Sequence, residues 1–169
     1  MNIQALITSM SRFPEILSAL ACGTPAEYAR ARPRAGAWSM LEVVRHLVEE
    51  EELDFGTRTR LALEEPTTPW SGIDPEGWVT EHEYNKEELE PSLALFAERR
   101  TTSIQWLEAR VTADWSSAHV HPQFEALRAG DLLAAWAAHD ALHLAQLAKL
   151  KAGILGQQAG EFHTRYAMP

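Results

Sequence analysis

Four stretches carry apolar residues at spacings of three and four, the recurrence that turns one stripe of an α-helix toward a core. The first runs from Ile3 to Leu20 with Leu6, Ile7, Met10, Phe13 and Leu17 on one side, and Gly23, Thr24 and Pro25 close it. Pro14 lies inside this stretch and, having no amide hydrogen, predicts a kink or break there. The second has the clearest start in the chain: Ser39-Met40-Leu41-Glu42 is a capping box, and Trp38 and Val43 have the spacing of a hydrophobic staple around it. Leu41, Val44, Leu47 and Val48 make its apolar face, and the pattern persists to Leu63. The third begins near Pro91, a favourable first-turn residue, and continues through Leu95, Phe96, Trp106, Leu107 and Val111. The fourth contains Leu132, Trp136, His139, His143, Leu147 and Leu150 as one stripe, with its centre in Ala135 to Lys149.

Between these stretches helical recurrence fails. Residues 26–37 read as a solvated connector containing Arg30, Arg32 and Arg34. About 27 residues after Leu63 contain Pro66, Pro69, Gly72 and Pro75, a connection long enough to free the third helix from lying antiparallel to the second. Thr112 to Ala129 reads as another loop, in which the alternate spacing of His119 and His121 suits extended backbone and surface positions. The expected fold is all-α, a single domain over residues 1–169.

Composition narrows the function. Of 169 residues 46% are hydrophobic and 23% charged, ordinary for a globular protein, and the formal net charge of −9 repels nucleic-acid backbones and anionic membranes. No apolar run approaches the length of a membrane span, and no basic region precedes an apolar one at the N-terminus, so a cytoplasmic location is expected. The single cysteine, Cys22, excludes an internal disulfide and a multi-thiolate metal site; it is expected just past the first helix as a small hydrophobe.

The chemistry concentrates in the fourth helix. His139 and His143 stand four residues apart, so both imidazoles lie on one face and can reach one ion. Spacing alone leaves two readings open, core histidines paired with neighbours or ligands to a metal. In the second helix, Glu50 lies one turn beyond His46 and can accept its second ring proton or approach the same ion, although the run Glu49 to Glu52 reads first as a solvated acidic face. Trp70 and Trp78, in the long connection with His82 and Tyr84, are expected to pack over the core or over a ligand pocket.

Trp38-Ser39-x-x-Glu42-x-x-x-His46-Leu47, Phe96-x-x-x-Arg100, Asp114-Trp115, His121-Pro122 and His139-Asp140-x-x-His143-Leu144-x-Gln146-Leu147, in that order, resemble the DinB-like (DinB/YfiT) superfamily of small metalloproteins. The resemblance implies a four-helix bundle in up-down-down-up order with its long connection between helices 2 and 3. It further implies one divalent ion held by His46, His139 and His143. Some members of that family are thiol-dependent S-transferases or isomerases using a low-molecular-weight thiol, and others are hydrolases. The sequence departs from the family at Glu125, where many members carry glycine, and its basic residues cluster only in the Arg30–Arg34 connector, which offers no clear pocket for a thiol cofactor.

Three imidazoles on a divalent ion leave at least one position open, the arrangement of catalytic rather than structural zinc. Zinc is the first expectation, and nickel, iron and manganese accept the same ligands. Such an ion would activate a small thiol or water against an electrophilic small-molecule substrate in a pocket walled by Trp70, Trp78 and Trp136, with Glu50 or Asp140 as hydrogen-bond acceptor or proton shuttle. The alternative is a non-catalytic stress-response or ligand-binding bundle with a structural metal. A homodimer formed through the first helix is also expected.

Overall fold

The computed structural model of the chain describes residues 1–121 and 124–167, the side chains of residues 121, 124 and 125 excepted. Helix α1 (Ile3–Ala21) starts where Asn2 accepts from the Ala5 amide at 3.0 Å, and it buries Ile7, Met10, Phe13, Leu17 and Ala21. Pro14 does not break it. The amide that proline lacks would have bonded the Met10 carbonyl; that oxygen instead accepts from Arg100 Nη1 at 3.2 Å, so the missing helix bond is replaced by a tertiary one. Cys22 follows α1 as expected but is exposed rather than packed.

The arginine connector is not simply solvated. It contains a short helix α2 (Ala26–Arg30), Arg30 donates to the carbonyls of Asn85 and Glu87, and Arg32 pairs with the buried carboxylate of Glu42. Helix α3 (Met40–Leu53) has the expected capping box, with Ser39 Oγ accepting from the Glu42 amide at 3.1 Å and Glu42 Oε2 from the Ser39 amide at 2.7 Å. The chain breaks at Asp54 and resumes as α4 (Phe55–Glu64). Gly56 makes this break fit: a Cβ there would lie 1.8 Å from the Glu51 carbonyl oxygen.

Helix α5 (Pro75–Glu81), capped by Asp74, and a 3₁₀ turn at Tyr84–Lys86 give the long connection structure of its own. Helix α6 (Leu89–Glu108) starts two residues before Pro91, and α7 (Ala129–Gln158) is the longest element. The expected loop after the third helix contains an antiparallel hairpin, β1 (Ala118–His121) with β2 (Phe124–Arg128), irregular between His119 and His121. His119 is buried, not a surface residue: its Nδ1 donates to the Pro66 carbonyl at 2.8 Å and its ring stacks on Trp70. Pro122 and the side chains of His121 and Glu125 lie outside the described residues.

Contacts fix the helix directions. Phe13 meets Phe96 and the Gly23 amide reaches Glu90, so α1 opposes α6. Arg99 donates to the Val48 carbonyl and Arg100 to Glu51, while Leu41 and Leu89 line a shared cavity, so α3 and α6 run the same way. Trp136 reaches Glu51 and His143 faces His46, so α7 opposes α3; Lys151 reaches Thr24 at the far end of α1, so α7 runs with α1. The bundle is up-down-down-up, and the parallel neighbours α3 and α6 require the long crossover.

The core has two apolar clusters, one around Phe13, Leu41, Leu47, Phe96 and Leu147 and the other around Ile7, Met10, Leu107, Leu133 and Trp136. Arg100 lies at their seam, with Phe13 and Phe96 on one side and Trp136 on the other.

Candidate metal centre

Helices α3 and α7, antiparallel and adjacent, bring His46, His139 and His143 together at the seam. His139 Nε2 lies 3.2 Å from His46 Nε2 and 3.0 Å from His143 Nε2, and one ligand atom from each ring falls within 4.8 Å of the others. The apolar stripe of α7 places its two rings one helical turn apart, and the stripe of α3 places the third opposite them. His143 Nδ1 donates to Gln146 Oε1 at 2.8 Å, so its Nε2 presents a lone pair to the cluster.

Burial sets the protonation. His46 is pulled down to about 3 by burial first and then by His143 and His139. His139 falls to about 3 by burial, His143 and Arg100. Burial also lowers His143, with the Gln146 hydrogen bond opposing it. All three rings are therefore neutral at neutral pH, the form that binds a cation. The Nδ1 atoms of His46 and His139 and Oε1 of Glu50 are buried without hydrogen-bond partners, and Glu50 Oε1 stands 3.7 Å from His46 Nδ1. Three neutral imidazole nitrogens converging on one point, with no protein group there to satisfy them all, fit a divalent cation.

Glu50 itself is pushed up to about 8 by burial and by Asp54, against the opposing charge of Arg58, so it carries a proton at neutral pH. Of the acidic run only Glu52 is solvated: Glu49, Glu50 and Glu51 are all buried. Glu49 accepts from Tyr84 Oη at 2.6 Å and from His82 Nδ1 at 2.8 Å, pinning the crossover onto α3. Glu51 Oε1 accepts from Arg100 Nε at 2.8 Å and from Trp136 Nε1 at 3.0 Å.

The other sequence candidates are dispersed. Asp140 does not touch an imidazole through a hydrogen bond; it receives Arg100 Nη1 at 2.6 Å and Nη2 at 2.8 Å in a fork. Burial raises the Asp140 carboxyl while Arg100 lowers it. Trp136 is 1% exposed and belongs to the core. Trp70 stacks on His119 and Trp78 on His82, so the three tryptophans form no common wall. The aromatic neighbours of the imidazoles are instead Trp38, 4.9 Å from His46 and parallel to His143, and Phe55, 5.0 Å from His139. Trp38 had a visible role as a staple residue, which concealed this one. Arg100 and Glu51 had a signal too, each being a charge within an otherwise apolar helical stripe.

A family model described as the DinB superfamily matches residues 8–147, a span containing all three histidines. Among solved structures the fold is similar to that of YfiT from Bacillus subtilis, described as a probable metal-dependent hydrolase with an unusual four-helix bundle topology. The TM-score is 0.79 at 20% identity, over 90% of this chain and 87% of that one, a likeness of fold. No curated protein matches the sequence.

Proposed function

Because the chain belongs to the DinB superfamily, we propose that it is a metal-dependent enzyme in which His46, His139 and His143 hold one divalent ion, zinc first, and bring a small thiol or water to it. When bound, such an ion acidifies the thiol or water in its open position and so supplies a nucleophile at neutral pH. Everything else falls to the residues of the chain. Gln146 orients His143 and fixes its tautomer. Glu50 stands beside His46 with its Oε1 3.7 Å from Nδ1, too far for a hydrogen bond, while His46 Nε2 faces the cluster and is free for the cation. Trp38 and Phe55 cover two sides of the cluster with hydrocarbon and limit the water around it.

The convergence of three neutral Nε2 atoms carries this reading. Its test is metal analysis of tag-free protein, followed by assay of metal-loaded and chelator-stripped samples against thiols paired with epoxide, halide and ester electrophiles. The expected result is one equivalent of divalent ion, absent from His139→Ala, and metal-dependent turnover of a thiol or hydrolytic substrate. Protein that takes up no zinc, nickel, iron or manganese would refute the metal site. A loaded protein inert toward the whole panel would leave the metal structural.

A further inference from the structure

Cavities at the surface of the bundle differ in the charge of their walls. One is lined by Glu51, Glu52 and Glu98 together with Arg60 and Arg99, and another by Glu88 and Glu90 with Arg30, so both carry their own counter-charges. The third, of about 300 Å³, lies between the connector before α3 and the C-terminal half of α7. Its walls are mostly hydrocarbon, from Trp38, Met40, Leu150 and Ile154, and its two charged residues are both cations, Arg34 and Lys149. No carboxylate lines it.

That sign is unusual in a chain of net charge −9. Arg32, Arg58, Arg99, Arg100 and Arg110 each have a carboxylate partner; Arg34 and Lys149 are among the cations with none among the described residues, and they are the two that line one cavity together. The cavity also shares two walls with the imidazole cluster. Trp38 stands against His46 and parallel to His143, and Gln146 holds His143 Nδ1.

We propose that this cavity binds an amphipathic organic anion, with its apolar body against Trp38, Met40, Leu150 and Ile154 and its carboxylate between Arg34 and Lys149. Apolar walls supply most of the affinity, and the two cations select the sign of the charge and fix which end enters. As the substrate pocket of the proposed metal enzyme it would present the ligand beside His143, and only this assignment of role rests on that reading. The anion-binding claim stands on the cavity alone.

The probe is octanoate, with octan-1-ol and octylammonium as controls of equal chain length, titrated by calorimetry into metal-loaded and chelator-stripped protein. Octanoate should bind both forms, at least about tenfold more tightly than either control. Arg34→Ala with Lys149→Ala should weaken octanoate about tenfold or more and leave octan-1-ol unchanged; both side chains are exposed, so the fold should survive. Gly153→Leu is a second probe, because nothing lies within 4 Å of the position its Cβ would take, and it should block all three ligands by filling the cavity. Octanoate binding that vanishes with the metal and ignores the double substitution would place the carboxylate on the ion, overturning this proposal while supporting the metal site. Failure of octanoate to bind either form, or equal binding of octylammonium, would overturn it outright.

Discussion

The hydrogen bond from His143 to Gln146 orients one of the three imidazoles proposed to hold the ion. An amide holds one nitrogen of the ring, and the other faces His139 Nε2 at 3.0 Å, within the convergence of the three imidazoles. Gln146→Leu keeps the volume and removes the acceptor. It should weaken metal binding about 10- to 100-fold with little change in helical content, read by competition against a chelator; unchanged affinity would mean that Gln146 has no part in orienting the ring. The neighbouring Arg100 has the opposite character, since it satisfies Glu51, Asp140 and the Met10 carbonyl at once. Arg100→Leu leaves two carboxylates buried without their cation and should cost about 3–5 kcal/mol in urea denaturation. A loss under about 1 kcal/mol, the size of an exposed ion pair, would contradict this account. His139 and His143 were legible from spacing, and His46 entered through the family resemblance. Of the Arg100 network the sequence carried only a signal of position, a charge inside an apolar stripe; its partners Glu51, Asp140 and the Met10 carbonyl come from three other helices, and only tertiary packing reveals them.

Among the helices, the break between α3 and α4 has a residue-level cause that a hydropathy wheel does not register. The apolar pattern runs on from Leu41 to Leu63 as if through one helix, but Asp54 leaves helical geometry and Gly56 closes against the Glu51 carbonyl. This places Phe55 against His139 and keeps Glu51 facing Arg100. Gly56→Ala must move backbone, and should lower stability by about 1–3 kcal/mol and weaken metal binding through the displaced Phe55. Urea denaturation beside a chelator titration checks both; a variant more stable than the parent, as the helix propensity of alanine alone would give, would show that the break tolerates a side chain. Of the hairpin, the spacing of His119 and His121 shows extended backbone in β1 but not its pairing with β2. Its strands have only four and five residues, too few for alternation to stand out from a polar loop. Helix α5 did have a readable start in Asp74-Pro75, a cap followed by proline, but seven residues give no apolar stripe to support it.

The length of the crossover permits the up-down-down-up order, and that order determines which helices the imidazole cluster joins. His46 lies in the first half of the chain and His139 and His143 near its end, so an unfolded chain has no preformed site. A cation bound only by the folded bundle therefore stabilises it in proportion to the logarithm of its concentration, by about 2.7 kcal/mol at one hundred times Kd. Thermal unfolding measured over a series of free zinc concentrations should give a Tm that climbs steadily once zinc exceeds Kd. The rise should disappear in His46→Ala and equally in His139→Ala, with little further effect in the double variant, because one ion bridging α3 and α7 is lost when either side is removed. Retention of the full zinc response in His46→Ala would assign the ion to α7 alone. In that case the convergence of the two helices would reflect core packing, and the fourth helix would hold its metal without help from the second.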